Sequence, residues 1–268
     1  MKKQTIHFAT LMLALSVLFT ACDKNNDNDY NTPVTPTVNA QQFKATGDST
    51  GISAKLDEFR NILGATLNNA PGVTGGRREV NWDGVPANLT NVNGFPADFF
   101  GSADPALANG RKRGLLMTNT GTSFRVDSTD FSQIDPSYAD QFSRFSPKKV
   151  FVYLGNTVTE CTFKVPGTNT DAFIKGFGVI FSDVDDANST SLEFFNGSKS
   201  LGVYKAQASA SGQFSLLGVY FPDEKVTKVR IVSGNGLLAA GTKDLTNGGS
   251  KDLVVMDDFL YDEPKTIQ

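Results

Sequence analysis

Two aspartate pairs carry the plainest chemistry in this chain. Asp183-x-Asp185, with Asn188 close behind, follows the apolar run Lys175-Gly-Phe-Gly-Val-Ile-Phe-Ser182. Asp257-Asp258 interrupts a second apolar run, Leu253-Val-Val-Met256 on one side and Phe259-Leu-Tyr261 on the other. Carboxylates at the end of a buried strand must be balanced by water, arginine or a cation, because an unpaired buried charge is strongly destabilising. Clustered Asp and Asn oxygens are hard donors of the kind calcium gathers, about six to eight at a time. Asp183, Asp185, Asn188, Asp257 and Asp258, joined by Glu79 or Asp83 from an earlier segment, are therefore candidate ligands of a structural calcium. Arg77, Arg78 or water are the alternative partners for the same carboxylates.

A second group of residues suits a sugar. Trp82 is the single tryptophan, and Phe95, Phe99 and Phe100 cluster in an irregular stretch rich in Gly and Pro. Exposed rings stack on the apolar faces of pyranoses, whereas the same rings turned inward form core or cap an open sandwich end. Arg111 and Arg113 can meet an acidic glycan, or simply charge a strand start against unwanted edge pairing. Cys161 lies on the apolar row of an alternating run and reads as a small buried hydrophobe.

What is missing narrows the chemistry. The only histidine is His7, ahead of Cys22. From Cys22 onward the chain can build neither a Ser-His-Asp nor a Cys-His site, and it offers zinc no imidazole. Glutamates after Cys22 are Glu58, Glu79, Glu160, Glu193, Glu224 and Glu263, and they form no Glu-x-Asp-x-x-Glu pattern of the concanavalin-like hydrolases. A carboxylate-dependent glycan-active enzyme is disfavoured by this, and no catalytic residue is assigned. Lys2 and Lys3 are two of 25 basic residues, so from Cys22 onward 23 face 28 acidic ones, a net charge of −5. That balance argues against a nucleic-acid partner.

The elements that must position these residues read in order. Lys2 and Lys3 begin a basic-then-apolar leader whose run from Ile6 to Phe19 is too short for a permanent span. Leu18-Phe-Thr-Ala-Cys22 resembles a lipobox, with Phe19 where leucine is usual, and implies lipidation of Cys22. The expected divisions are a lipoprotein signal at 1–21, a disordered tether at 22–50, a helix and linker at 51–76, and a sandwich at 77–268. Asp23 directly after the cysteine resembles an inner-membrane retention signal. The acidic tract Asp-Lys-Asn-Asn-Asp-Asn-Asp29 as a whole looks more like a surface-export signal, which favours display on the outer membrane. Asp-Ser-Thr triplets at Asp48 and Asp127 resemble an O-glycosylation acceptor, with Ser49 and Ser128 as the candidate sites.

Ile52, Leu56, Phe59 and Leu63 recur at helical spacing, with Ser53 as a plausible N-cap and Gly64 as the stop. From Arg77 the pattern turns to short strands: 77–82, 115–118, 123–127, 149–154, 159–165, 172–181, 191–195, 201–206, 214–221, 226–232 and 252–261. Asn196-Gly197 marks a hairpin. Phe177, Val179 and Phe181 share a row that Asp183 and Asp185 continue, while Gly176 and Gly178 leave room on the other row for a close neighbour. The fold class is mainly β: an antiparallel jelly-roll-like β-sandwich preceded by one short amphipathic helix.

Three motifs then stand together. Gly76-Arg-Arg-Glu-Val-Asn-Trp-Asp-Gly-Val-Pro86, Gly176-Phe-Gly-Val-Ile-Phe-Ser-Asp-Val-Asp185 and Val254-Val-Met-Asp-Asp-Phe-Leu-Tyr-Asp-Glu-Pro264 resemble an uncharacterised family of exported bacterial β-sandwich proteins. The resemblance spans about residues 51–264 and brings no established activity. More distantly, the acidic pair in the last strand is similar to galactose-binding-like jelly rolls, many of which are carbohydrate-binding modules with a structural calcium. The expectation is a surface-tethered outer-membrane lipoprotein that binds a glycan without catalysis. A structural or protein-adhesion role is the alternative.

Overall fold

Alternation does most of the building. In Val158–Lys164, Thr159, Cys161 and Phe163 are buried while their neighbours stay half-exposed, the pattern of a strand with one face on a core. The computed structural model describes residues 38–118 and 123–267. Cys22, the leader and most of the tether lie outside the described residues.

The strands are β1 (Gln41–Gly47), β2 (Arg77–Val80), β3 (Leu115–Thr118), β4 (Phe124–Asp127), β5 (Val150–Tyr153), β6 (Val158–Lys164) and β7 (Asp171–Phe173). They continue as β8 (Gly176–Ser182), β9 (Ser191–Asn196), β10 (Lys199–Lys205), β11 (Phe214–Tyr220), β12 (Lys228–Val232), β13 (Val255–Asp262) and β14 (Lys265–Thr266). Sheet 1 runs β1-β11-β8-β13-β5-β4, with β2 also on β13, and sheet 2 runs β10-β9-β12-β6-β7-β14, with β3 also on β6. Every ladder between these strands is antiparallel. The protein is the mainly β, two-sheet sandwich that the short alternating runs predict.

The core between the sheets includes Phe177, Val179 and Phe181 of β8, Cys161 and Phe163 of β6, and Phe259 and Tyr261 of β13. The one α-helix among the described residues, α1 (Ser49–Leu63), lies on the outer face of sheet 1. Its buried Ile52, Leu56, Phe59 and Leu63 meet Ile180, Leu216 and Leu260, each burial contributing roughly 1.5–3 kcal/mol. Gly178 and Gly218 form the seat of Phe59: a Cβ on Gly178 would lie 2.5 Å from its Cε1.

Four details depart from the periodicity. The N-cap of α1 is Asp48, which accepts from the Gly51 N–H at 2.7 Å, so the helix starts ahead of Ser53. Residues 41–50, expected within the tether, instead form β1 and the helix entry, and β1 pairs with β11 along its full length. The run 172–181 is two strands in different sheets. The chain crosses between Phe173 and Gly176, held there by Asp262 Oδ1, which accepts from the N–H groups of Lys175 (2.7 Å) and Gly176 (2.8 Å).

The fourth departure is in β13. Met256 pairs with Phe181 and Phe259 with Val179, so Asp257 and Asp258 together oppose Ile180. This bulge switches the inward row: Val254 and Met256 face the core before it, Phe259 and Tyr261 after it. The Asn196-Gly197 signal holds, with Asn196 opposite Lys199 and Gly197 at φ 59° in the turn.

Candidate functional site

β8 delivers the first acidic residue. Asp183 directly follows it and takes a left-handed φ of 67°, which ends the period-two row and turns the side chain away from the core. The residue is fully buried (0% exposed). Its Oδ1 accepts from the Gly212 N–H at 3.1 Å, while Oδ2 is buried without a hydrogen-bond partner. Asp185 is half-buried, and its Oδ2 accepts weakly from the Thr246 N–H at 3.3 Å.

Asp244 completes the group from the connection between β12 and β13. It caps a short 3-10 turn, Leu245–Asn247. Its Oδ2 accepts from the N–H and hydroxyl of Thr246 (2.9 and 2.8 Å), and its Oδ1 from the Leu253 N–H (2.8 Å). One oxygen from each of Asp183, Asp185 and Asp244 lies within 4.8 Å of the other two, a grouping that could hold a metal ion. Asp252 stands beside them, buried, accepting from the N–H groups of Asp185 and Asp186 and from the Ser189 hydroxyl. Among the described residues no Lys or Arg pairs with any of these four carboxylates.

The electrostatics follow from that lack of countercharge. Burial, then the charges of Asp244 and Asp252, push Asp183 up to about 6. Burial, then the hydrogen bond and charge of Asp244, push Asp185 up to about 7. Burial opposes ionisation of Asp244 too, but hydrogen bonds from Asp185, Leu253 and Thr246 hold it below the usual carboxylate range. Either a shared proton or a cation must sit among these groups near neutral pH. Gln141 lies against Asp183 and opposes the rise in its pKa, yet no well-formed hydrogen bond reaches the buried Oε1 or Nε2 of Gln141.

The other expected calcium ligands stand elsewhere. Asn188 Oδ1 accepts from Lys205 at 2.7 Å on the exposed side. Asp257 Oδ2 accepts from the Phe145 N–H (2.6 Å) and Asp258 Oδ1 from the Ser146 hydroxyl (2.7 Å), both because the bulge turns them outward. Glu79 is held by Arg60 (2.9 Å) and Arg77 (2.7 Å). Those arginines outweigh the effect of burial and keep its carboxyl below the usual range. Asp83 meets Lys149 through its backbone carbonyl at 3.2 Å. Of the seven candidates, only Asp183 and Asp185 belong to the grouping that could hold an ion. Asp244 was missed, although Asp-x-Thr is a turn-capping signal, because nothing local says which loop will face β8.

The sugar-directed residues gather at a different place. Trp82 is core, 1% exposed, stacked on Phe151 at 4.1 Å and donating from Nε1 to the Asp257 carbonyl at 2.7 Å. Phe95 and Phe100 pack edge-on to it at 6.2 and 5.6 Å, and Phe99 joins them. None of the four rings is an exposed stacking platform; they close this end of the sandwich. Trp82, Phe99 and Phe100 nevertheless line a pocket of about 340 Å³, together with Glu79, Pro86, Leu107, Arg111 and Arg113. Phe95 sits behind it.

Both arginines keep donors to spare. Arg111 lies over the Phe99 ring at 3.8 Å and donates from Nε to the Phe99 carbonyl at 2.8 Å. Arg113 donates from Nη1 to the Glu79 carbonyl at 2.9 Å, and burial lowers its pKa. Among the described residues neither forms an ion pair. A pocket with apolar walls and two unpaired guanidinium groups can bind a polar or anionic small ligand.

Ser49 is exposed in the first turn of α1, whereas the Ser128 hydroxyl is tied to Asn91 at 3.0 Å. No helix of the described residues is long and apolar enough to cross a membrane. No family model, curated protein or solved structure matches the chain.

Proposed function

We propose that this chain is an outer-membrane surface lipoprotein, anchored through Cys22, whose sandwich binds a glycan without cleaving it. The observation that carries this reading is the pocket that Arg111 and Arg113, free of acidic partners among the described residues, line together with Trp82, Phe99 and Phe100. A sugar offers apolar C–H faces to such walls, and hydroxyls or carboxylates to guanidinium donors. Catalysis is not part of the reading. A glycosidase needs two carboxylates about 5–10 Å apart across its cleft. The pocket's one acidic residue, Glu79, has both oxygens engaged by Arg60 and Arg77. Calcium enters as a structural ion at the acidic triad and takes no part in any reaction.

Retention of the full chain on a panel of neutral and acidic polysaccharides, in calcium and in chelator, tests the binding claim. Binding without release of reducing ends supports it. Absence of binding in both conditions moves the assignment to a structural or protein-adhesion role. The anchor is tested separately: Cys22→Ser should leave the membrane fraction, and a variant that stays there removes the lipoprotein claim.

A further inference from the structure

We propose that one calcium ion binds Asp183, Asp185 and Asp244 with Gln141 as a further protein ligand, and that it staples three connections at one end of the sandwich. The proposal rests on the reading of calcium as a structural ion and assigns that ion its ligands. Clustered aspartates alone would not suffice, since acidic groups often share a surface. The deciding observations are two adjoining buried side chains, Asp183 and Gln141, with polar atoms that no well-formed hydrogen bond reaches.

Asp183 is 0% exposed and its Oδ2 has no partner; Gln141 is 3% exposed and neither amide atom has one. Native proteins leave few buried polar groups unsatisfied, because each costs about 1–3 kcal/mol. Here two such groups adjoin, from segments far apart in the chain, beside three carboxylates without a paired cation. A single positive ion would satisfy the Asp183 oxygen, the Gln141 carbonyl and the excess negative charge together.

The donor set selects the ion. Every available ligand atom is a hard oxygen, with no imidazole or thiolate among these residues, which disfavours zinc. The donors come from irregular connections rather than one rigid element. Calcium accepts such uneven oxygen cages and completes its shell with water, whereas magnesium demands a near-ideal octahedron. Asp183 and Asp185 come from the β8–β9 connection, Asp244 from β12–β13 and Gln141 from β4–β5. A fourth connection, β10–β11, is already joined through the Gly212 N–H on Asp183 Oδ1.

The test titrates calcium chloride into chelator-stripped full chain by calorimetry and follows thermal unfolding with and without the ion. The expected result is one ion per chain and a higher unfolding temperature in calcium. Asp244→Asn and Gln141→Ala should each weaken binding about tenfold or more. Gln141→Glu, which keeps the oxygen and adds charge, should tighten it, a gain that mere unfolding cannot imitate. No calcium binding by the unsubstituted chain overturns both this site and the structural-calcium reading. Calcium binding that is unchanged in Asp244→Asn and in both Gln141 variants overturns the site alone, leaving the ion elsewhere.

Discussion

Asp257 and Asp258, adjacent in the chain, both leave β13 on the outer face of sheet 1, where they hold the Phe145 N–H and the Ser146 hydroxyl. Neighbouring residues on a regular strand point to opposite faces. The bulge removes that constraint, and two carboxylates end up buried side by side under the segment before β5.

A pH dependence follows from this pair. Burial raises both carboxyls; the charge of Asp258 then raises Asp257 further, and Asp258 itself reaches about 6. The unfolded value is about 3.9, so the folded state holds protons more tightly. The stability these groups contribute is complete below about pH 4 and lost as pH rises, that of Asp258 through about 6 and that of Asp257 through its own raised pKa. Asp257→Asn should flatten that decline, leaving the variant more stable than the parent at pH 8 by about 1–3 kcal/mol. Urea unfolding of both proteins at pH 4 and pH 8 measures it. Parallel stabilities at the two pH values would contradict the paired-carboxylate account.

Gly178→Ala should loosen the helix from the sheet. The new methyl would lie 2.5 Å from Phe59 Cε1 and 3.0 Å from the Gly218 Cα, with strand backbone unable to retreat. A loss of about 1–3 kcal/mol is expected, partly restored by Phe59→Leu in the double variant. Additive effects of the two substitutions in denaturant melts would show that the contact is not the cause.

Arg78 and Glu263 form a buried two-bond pair at 2.8 and 2.7 Å, shared with Asn68 at 2.7 Å. Glu263→Gln leaves the guanidinium uncompensated in the interior and should cost about 3–5 kcal/mol. Arg78→Met combined with Glu263→Leu should be less damaging than either single change. Calorimetric unfolding of the three variants checks the order, and a benign Glu263→Gln would refute it.

Arg113→Ala probes the pocket. Its stabilising contribution is one hydrogen bond to the Glu79 carbonyl, about 1 kcal/mol. Polysaccharide retention should fall about tenfold, the loss of one charged contact of roughly 1.5–3 kcal/mol. The unfolding temperature should drop by only a few degrees. Retention that survives the substitution would place the ligand outside this pocket.

The sandwich was legible because alternation reports which face of a strand is buried, and eleven runs beginning at Arg77 carried that signal. The helix was legible through Ile52, Leu56, Phe59 and Leu63. β1 was not: Gln41–Gly47 has weak alternation and lies at a sheet edge, where one face is only partly covered. Phe173 and Phe177 read as one strand because a crossing between sheets leaves no mark when both flanks are apolar.

The site was half legible for a related reason. Asp183 and Asp185 announce themselves by ending a hydrophobic run, but Asp244 and Gln141 reach them through tertiary structure alone. Asp257 and Asp258 looked equivalent to Asp183 by the same rule, and a one-residue bulge sent them elsewhere. Arg111, Arg113 and Trp82 share a pocket, and of the two readings open to Trp82 the structure takes the core one, with its ring stacked on Phe151.

The edge position of β1 decides where a shortened form of this protein can begin. A cleavage or truncation just before Gln41 leaves every strand of sheet 1 in place. One a few residues later, within Phe43–Thr46, would strip the strand that shields β11 and bare a run of unpaired backbone groups. Such an edge recruits the same edge of another molecule. A preparation shortened by those few residues should therefore self-associate, while one retaining them stays dispersed.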